Sequence, residues 1–184
     1  MDNACLGTTA AGNGTTVPFT SVYREVSQGA AAHKIATAGA VAYDKIRQVF
    51  GKVEQGGFWS DSDIIVIAHT GIKESLRGLV DSTGRPLFVE EVSAMQPATL
   101  FGYKLQFSDG AKTSTTNLQN PTGNPLLIVG NRQHLILGVR SPIETMISTE
   151  AGWSTDEAHL KMRSRRAFAV GREKSFGILE VAGA

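Results

Sequence analysis

FWSDSDIIVIAHTGIKESLRGLVDSTGRPLF, residues 58–88, has the makings of a framework: loop, buried strand, capped helix, tight turn and extended arm. Ile64, Ile65, Val66 and Ile67 form an unbroken apolar run. Its shortness and its β-branching predict a strand covered on both faces, because a strand with one wet face would alternate. Thr70 is expected to offer its hydroxyl to the first free amides of a helix. Ile72, Leu76, Leu79 and Val80 then fall on one helical face. Asp81, Ser82, Thr83 and Gly84 have turn composition, with Gly84 free to take positive φ. Pro86 disfavours helix at Arg85, so the chain is expected to leave the turn extended. No residue here is placed for obvious chemistry.

The chain around it has 184 residues and 41% hydrophobic content, enough for one sizeable core. Eighteen basic and 17 acidic residues leave a net charge of +1, which argues against a general nucleic-acid-binding surface. The single Cys5 excludes an intramolecular disulfide and any multi-cysteine metal site. No apolar run approaches the roughly 18 residues that span a bilayer. The opening MDNACLGTTAAGNG has neither the basic start nor the apolar core of a signal peptide, so no membrane partner and no secretion are expected.

Outward from the central stretch, residues 1–20 are expected to be loop, lying on something else or mobile. Gly12, Asn13 and Gly14 form a turn, not a phosphate loop, since no Lys follows at the required spacing. Residues 21–29 suit either a short strand or a helical turn. Residues 35–55 are Ala-rich at first, and Tyr43, Ile46, Val49, Phe50 and Val53 then share one face, which predicts an amphipathic helix stopped by Gly56 and Gly57. After Glu90 and Glu91, expected in a loop, residues 98–107 alternate: Phe101, Tyr103, Leu105 and Phe107 against Gly102, Lys104 and Gln106. That is a half-buried strand. Residues 108–125 form a long polar loop. Residues 126–129 are a second apolar run. Residues 134–140 and 143–147 are expected to be strands parted by Ser141 and Pro142, with Trp153 in a turn. In residues 157–170, Leu160, Met162, Phe168 and Val170 share one parity and Lys161, Arg163 and Arg165 the other, which favours a long strand over a helix.

Chemistry is scarce. His33, His69, His134 and His159 are scattered, none with a second ligand at metal spacing, so neither metal nor cofactor is expected. The Gly-x-Ser-x-Gly elbow of serine hydrolases is absent. Asp61, Asp63 and His69 near Trp59 allow a small hydrolase or sugar-binding alternative, which requires these side chains to converge in one pocket. The densest charge is Lys161, Arg163, Arg165, Arg166, Arg172 and Lys174 against Glu173. Arginine forks suit carboxylates and phosphates. A contact with acidic groups on a neighbouring subunit is the preferred functional reading, ahead of nucleic acid.

In order and spacing, these segments resemble the second half of a tailed-bacteriophage major capsid protein with the Hong Kong 97-like fold. ACLGTTAAGNGTTVP is similar to that family's glycine-rich passage into the axial domain. DIIVIAHTGIKESLRGLVDSTGRPLF resembles its strand, helix and Asp-x-x-Gly-Arg-x-Leu turn. PATLFGYKLQFSD resembles the strand that follows. PLLIVGNRQHLILGVRSPIETMIS resembles its turn flanked by strands, with Asn131 where Asp is usual. KMRSRRAFAVGREKSFGILEV resembles the closing arginine-bearing strand, with Ser175 before Phe176 where Ala is common.

The resemblance implies a mixed α+β fold, with an axial domain of a central sheet flanked by helices at residues 34–140. Peripheral-domain portions are expected at 1–33 and 141–184. Full-length members carry an N-terminal arm, an extended loop and a spine helix ahead of the region matched here, so the chain is expected to be a shortened member. It also implies a structural subunit and not an enzyme. Such a subunit joins copies of itself into pentamers and hexamers of an icosahedral shell, assembled in the host bacterial cytoplasm and resident in the virion. Packaged double-stranded DNA would be met by non-specific contact. An encapsulin-type compartment, which shares the fold, is the nearest alternative. Asp81, Gly84, Arg85, Arg163, Arg165 and Arg166 are the expected interface residues.

Overall fold

The computed structural model describes residues 1–80, 88, 98–152, 154–155 and 157–182. The turn at Asp81, Gly84 and Arg85, the Glu90–Glu91 loop and Trp153 lie outside the described residues.

In chain order the elements are α1 (Asp2–Leu6), α2 (Val22–Gly29), β1 (Lys34–Ala38), α3 (Tyr43–Gln55), β2 (Ile64–Ala68), α4 (Lys73–Arg77), β3 (Thr99–Leu100), β4 (Tyr103–Phe107), β5 (Leu126–Asn131), β6 (Leu135–Gly152), β7 (Glu157–Val170) and β8 (Phe176–Ala182). One sheet has strand order β1-β8-β5-β2-β4-β3, and a separate two-stranded ribbon pairs β6 with β7. Within the larger sheet β1 runs parallel to β8 and β2 to β4; β5 is antiparallel to both of its neighbours.

Period-two geometry divides the apolar residues of this sheet between two cores. Leu127, Val129, Leu179 and Val181 point with Ile64 and Val66 towards one layer, covered by Ile46, Val49, Phe50 and Val53 of α3 and by Leu76 of α4. Leu126, Ile128, Phe176 and Ile178 face the other, covered by Leu6 of α1 and by Val22, Tyr23 and Val26 of α2. Every residue of β5 is buried, as expected of a strand covered on both sides. The expected strand at 64–67 is present, but more alternately buried: Ile64, Val66 and Ala68 are inside, while Ile65 and Ile67 are half-buried.

Several expectations are corrected. Residues 34–38 are strand, not the start of a helix: pairing with β8 outweighs the helix propensity of the Ala-rich segment. The helix begins only at Tyr43, which is exposed rather than part of the apolar face. The N-terminal segment starts with a short helix and is tied down. Asn3 Nδ2 donates to the carbonyls of Gly110 and Lys112, at 3.1 and 2.8 Å. The undecided segment at 21–29 is helix, because the buried Ser21 hydroxyl caps it, accepting from the Arg24 amide at 3.1 Å.

Thr70 is not the cap of the helix that follows β2. His69 Nδ1 accepts from the Gly71 amide at 2.8 Å, and the Thr70 hydroxyl donates instead to Asp109. A 3-10 turn at Thr70–Ile72 leads into α4, which ends at Arg77, so Val80 is exposed rather than on a helical face. Residues 98–107 form a hairpin, not one strand. Phe101 and Gly102 both take positive φ, 52° and 86°. A left-handed phenylalanine is disfavoured; its ring packs edge-on against Phe50 at 4.9 Å, which offsets that cost.

Candidate functional site

The ribbon stands apart from the packed layers. Residues 134–147 were expected to form two strands; instead β6 runs unbroken past Ser141 and Pro142. Proline donates no ladder hydrogen bond, and the pairing accommodates it with register shifts between Val139 and Ser141 and between Ser141 and Glu144. The expected long strand at 157–170 is β7.

Register then fixes the two faces, since cross-strand partners share a side. Leu160 pairs with Ile147, Met162 with Thr145, Arg166 with Val139, Phe168 with Leu137 and Val170 with Leu135. This face is apolar apart from Thr145, Ser164 and Arg166. Its base, Leu135, Phe168 and Val170, rests on the second core. Further out nothing covers it among the described residues: Ile147 is 73% exposed, Leu160 62% and Met162 63%. The opposite face pairs His159 with Ser148, Lys161 with Met146, Arg163 with Glu144 and Arg165 with Ser141. That face is basic. The sequence marked its arginines, and its alternation predicted a half-covered strand. It did not show that the apolar side would be left open.

The expected interface arginines are therefore split. Arg163 and Arg165 share the basic face, and Arg163 Nε is held by Glu144 Oε2 at 2.7 Å. Arg166 lies on the other side, with its Nε donating to the Ser164 hydroxyl at 3.3 Å.

The hydrolase or sugar-binding alternative fails on geometry. Asp61 accepts from Trp59 Nε1 at 2.7 Å and from the Tyr103 hydroxyl at 2.8 Å, and these bonds hold its carboxyl below the usual range. Asp63 lies at the start of β2 and His69 at its end, about 20 Å apart at the rise of a strand. Asp63 is a structural clasp. It accepts from Arg132 Nε at 3.0 Å and from Gln133 Nε2 at 2.5 Å, joining β2 to the turn after β5. Burial would raise its pKa, but these donors and the serines at 60 and 62 bring it down. His69 is depressed, first by burial and then by the charge of Lys112, which suits its role as a neutral acceptor at a helix start. Burial pushes the Cys5 thiol up to about 11, so it is no ready nucleophile. Among the described residues no three His, Cys, Asp or Glu side chains gather as a metal site, and no helix is long and apolar enough to cross a membrane.

A second polar knot locks the sheet edge. Lys34 Nζ donates to the Tyr23 hydroxyl at 2.6 Å and to Glu180 Oε2 at 2.8 Å, while Asn124 Nδ2 holds Glu180 Oε1 at 2.7 Å. Burial alone would raise the Glu180 pKa; the donors Lys34, Asn124 and Tyr23 overcome it and hold the carboxyl below its ordinary 4.5. A carboxyl depressed by folding stabilises the fold above its ordinary pKa, and that contribution is lost as pH falls through the lower folded value. Glu180→Gln is therefore expected to flatten part of the acid limb of the urea-midpoint curve below about pH 4.5. Parallel acid limbs for variant and wild type would refute the assignment.

Solved structures share this architecture. A chain of Mycobacterium phage Bobi matches with a TM-score of 0.68 and 17% identity, over 100% of this chain and 60% of that one. A chain of Microbacterium phage Oxtober96 matches at 0.60 and 21% identity, over 86% and 54%. The capsid of an empty GTA particle matches at 0.56 and 18% identity, over 82% and 50%. The chain thus spans between half and three-fifths of the length of these relatives. Comparison with curated proteins gives no match. The fold, a mixed sheet with helices on both faces and a projecting ribbon, is that of Hong Kong 97-like capsid proteins. The profile of the phage capsid family matches residues 9–181, and the chain belongs to that family.

Proposed function

We propose that this chain is a structural, non-catalytic subunit of an icosahedral bacteriophage capsid, and that the β6–β7 ribbon is the element through which it contacts copies of itself. The carrying observation is the ribbon's apolar face, left open while both cores of the main sheet are closed. Exposed apolar surface on this scale marks an interaction site. Subunits joined in this way would form pentamers and hexamers, assemble in the host bacterial cytoplasm and remain in the virion.

The sheet with α3 and α4 corresponds to the axial domain of this reading, and the ribbon to part of the peripheral domain. On this reading the chain leaves the axial domain between the end of β5 at Asn131 and the start of the ribbon at Leu135, somewhat before residue 140, and rejoins it with β8, which lies between β1 and β5. The near-neutral charge suits enclosure of double-stranded DNA with only non-specific contact. Membership of the phage capsid family supports a capsid over an encapsulin-type compartment; nucleic acid rather than enzyme inside purified particles would distinguish them. Light scattering over a concentration series, with micrographs of the same samples, tests the reading. Rings or shells are expected. A monomer at every concentration would contradict it.

A further inference from the structure

The apolar face is only one side of the ribbon; the other side is charged and also open. Every residue of β7 from Glu157 to Ala167 is exposed, so neither side of the outer ribbon is covered among the described residues. Lys161, Arg163 and Arg165 stand on the second face, opposite Met146, Glu144 and Ser141. Two-residue steps along a strand set them about 7 Å apart, in a row of about 14 Å. Of the three, Arg163 alone has a carboxylate partner among the described residues: Glu144 Oε2 holds its Nε at 2.7 Å, with both side chains half exposed. An exposed pair of that kind is weak, and it leaves the two terminal nitrogens of the guanidinium without a described partner. At the outer end Glu157 lies 3.8 Å from His159, beyond the row.

A row of cations along a narrow two-stranded ribbon suits a regular polyanion. A protein seam of matching shape would need carboxylates at the same two-residue step, and no described strand of this chain carries two at that step. Duplex DNA presents a charge every ~1.7 Å of its axis, so it meets such a row in any register. The register-paired residues of this face include no Phe, Tyr or Trp to stack on unpaired bases. They include no Asn or Gln to read adenine. Both absences favour the phosphates of a duplex over a single strand or a particular sequence. We propose that the face bearing Lys161, Arg163 and Arg165 is a non-specific contact surface for the phosphate backbone of double-stranded DNA, while the opposite, apolar face meets other copies. This rests on the shell-subunit reading and assigns the DNA contact to one face of one element. Arg166, on the apolar side, takes no part.

The test follows the fluorescence anisotropy of a labelled duplex of random sequence, titrated with the full chain at several salt concentrations. Binding with a Kd of about 10⁻⁴–10⁻⁶ M is expected, and the logarithm of affinity should fall against the logarithm of salt with a slope of about −2 to −3. Lys161→Gln with Arg165→Gln should make that slope shallower by about two and weaken binding at low salt about tenfold or more; Arg165→Gln alone should remove about one. Arg47→Gln with Lys52→Gln removes the same charge from α3 and should leave the slope as it is. Urea midpoints check that every variant is folded. Equal slopes for wild type and both ribbon variants would overturn the proposal. So would loss of self-association in the double variant with DNA binding intact, which would return these cations to a seam between copies. Absence of DNA binding, with self-association intact, defeats this assignment alone. DNA binding through these residues by a chain that stays monomeric defeats the shell reading alone.

Discussion

Phe176→Ala is expected to destabilise the chain by about 3–5 kcal/mol, read from urea unfolding. Phe176 opens β8 and is 1% exposed, among the largest fully buried side chains. It anchors the core beneath α2, where Val22, Val26, Leu126 and Ile178 surround it in one cluster. Its space is created by Gly130 of β5. A Cβ built on Gly130 would stand 2.1 Å from the Phe176 ring and 2.9 Å from the Ser175 carbonyl oxygen. Gly130→Ala should therefore overpack the site and cost about 1–3 kcal/mol. Because the two residues share one volume, their effects should not add. Gly130→Ala combined with Phe176→Leu should be more stable than the sum of the single losses. A loss below about 1 kcal/mol for Phe176→Ala would mean that this side of the sheet is not a packed layer.

The second large effect concerns association and not folding. Ile147→Lys combined with Leu160→Glu changes a pair that sits in register across the ribbon. Opposite charges at paired positions keep the two strands together, while the variant loses two of the most exposed apolar side chains. Self-association should weaken by about tenfold to a thousandfold, since burial of each such side chain contributes roughly 1.5–3 kcal/mol. The urea midpoint should hold to within about 0.5 kcal/mol, as usual for exposed positions. A variant that associates as tightly as wild type would remove the apolar face from the contact.

Much of the framework was legible in the residues. The apolar runs at 64–67 and 126–129 are adjacent strands of the sheet, because β-branched segments that short have few other stable fates. The helical face of Ile46, Val49, Phe50 and Val53 is buried as its spacing required. Legibility ended where tertiary partners decide. Residues 34–38 have helical composition, yet β8 supplies a strand partner and Glu180 a counter-charge for Lys34. The positive φ of Phe101 has no local signal, since Asn or Gly is the usual choice there; its compensation is a ring 51 residues earlier in the chain, Phe50.

The candidate site was legible in part. Alternation gave the β7 strand, and charge density gave Arg163 and Arg165. Alternation also predicted an apolar face without saying what covers it. Cover depends on which layer packs where, and one strand's pattern does not contain that. The pairing of Arg163 with Glu144 and the bulge near Pro142 depend on register, which a proline signals but does not fix.

Hydrogen exchange of the ribbon amides as a function of protein concentration tests the central claim most directly. Both ribbon edges lack a neighbouring strand among the described residues, so their outward amides exchange readily in a monomer. The account predicts that residues 135–148 and 157–170 gain protection as the chain associates, while β5 and β8 remain protected throughout. Ribbon exchange that is unchanged on association, with new protection over α3 or the β3–β4 hairpin instead, would contradict it.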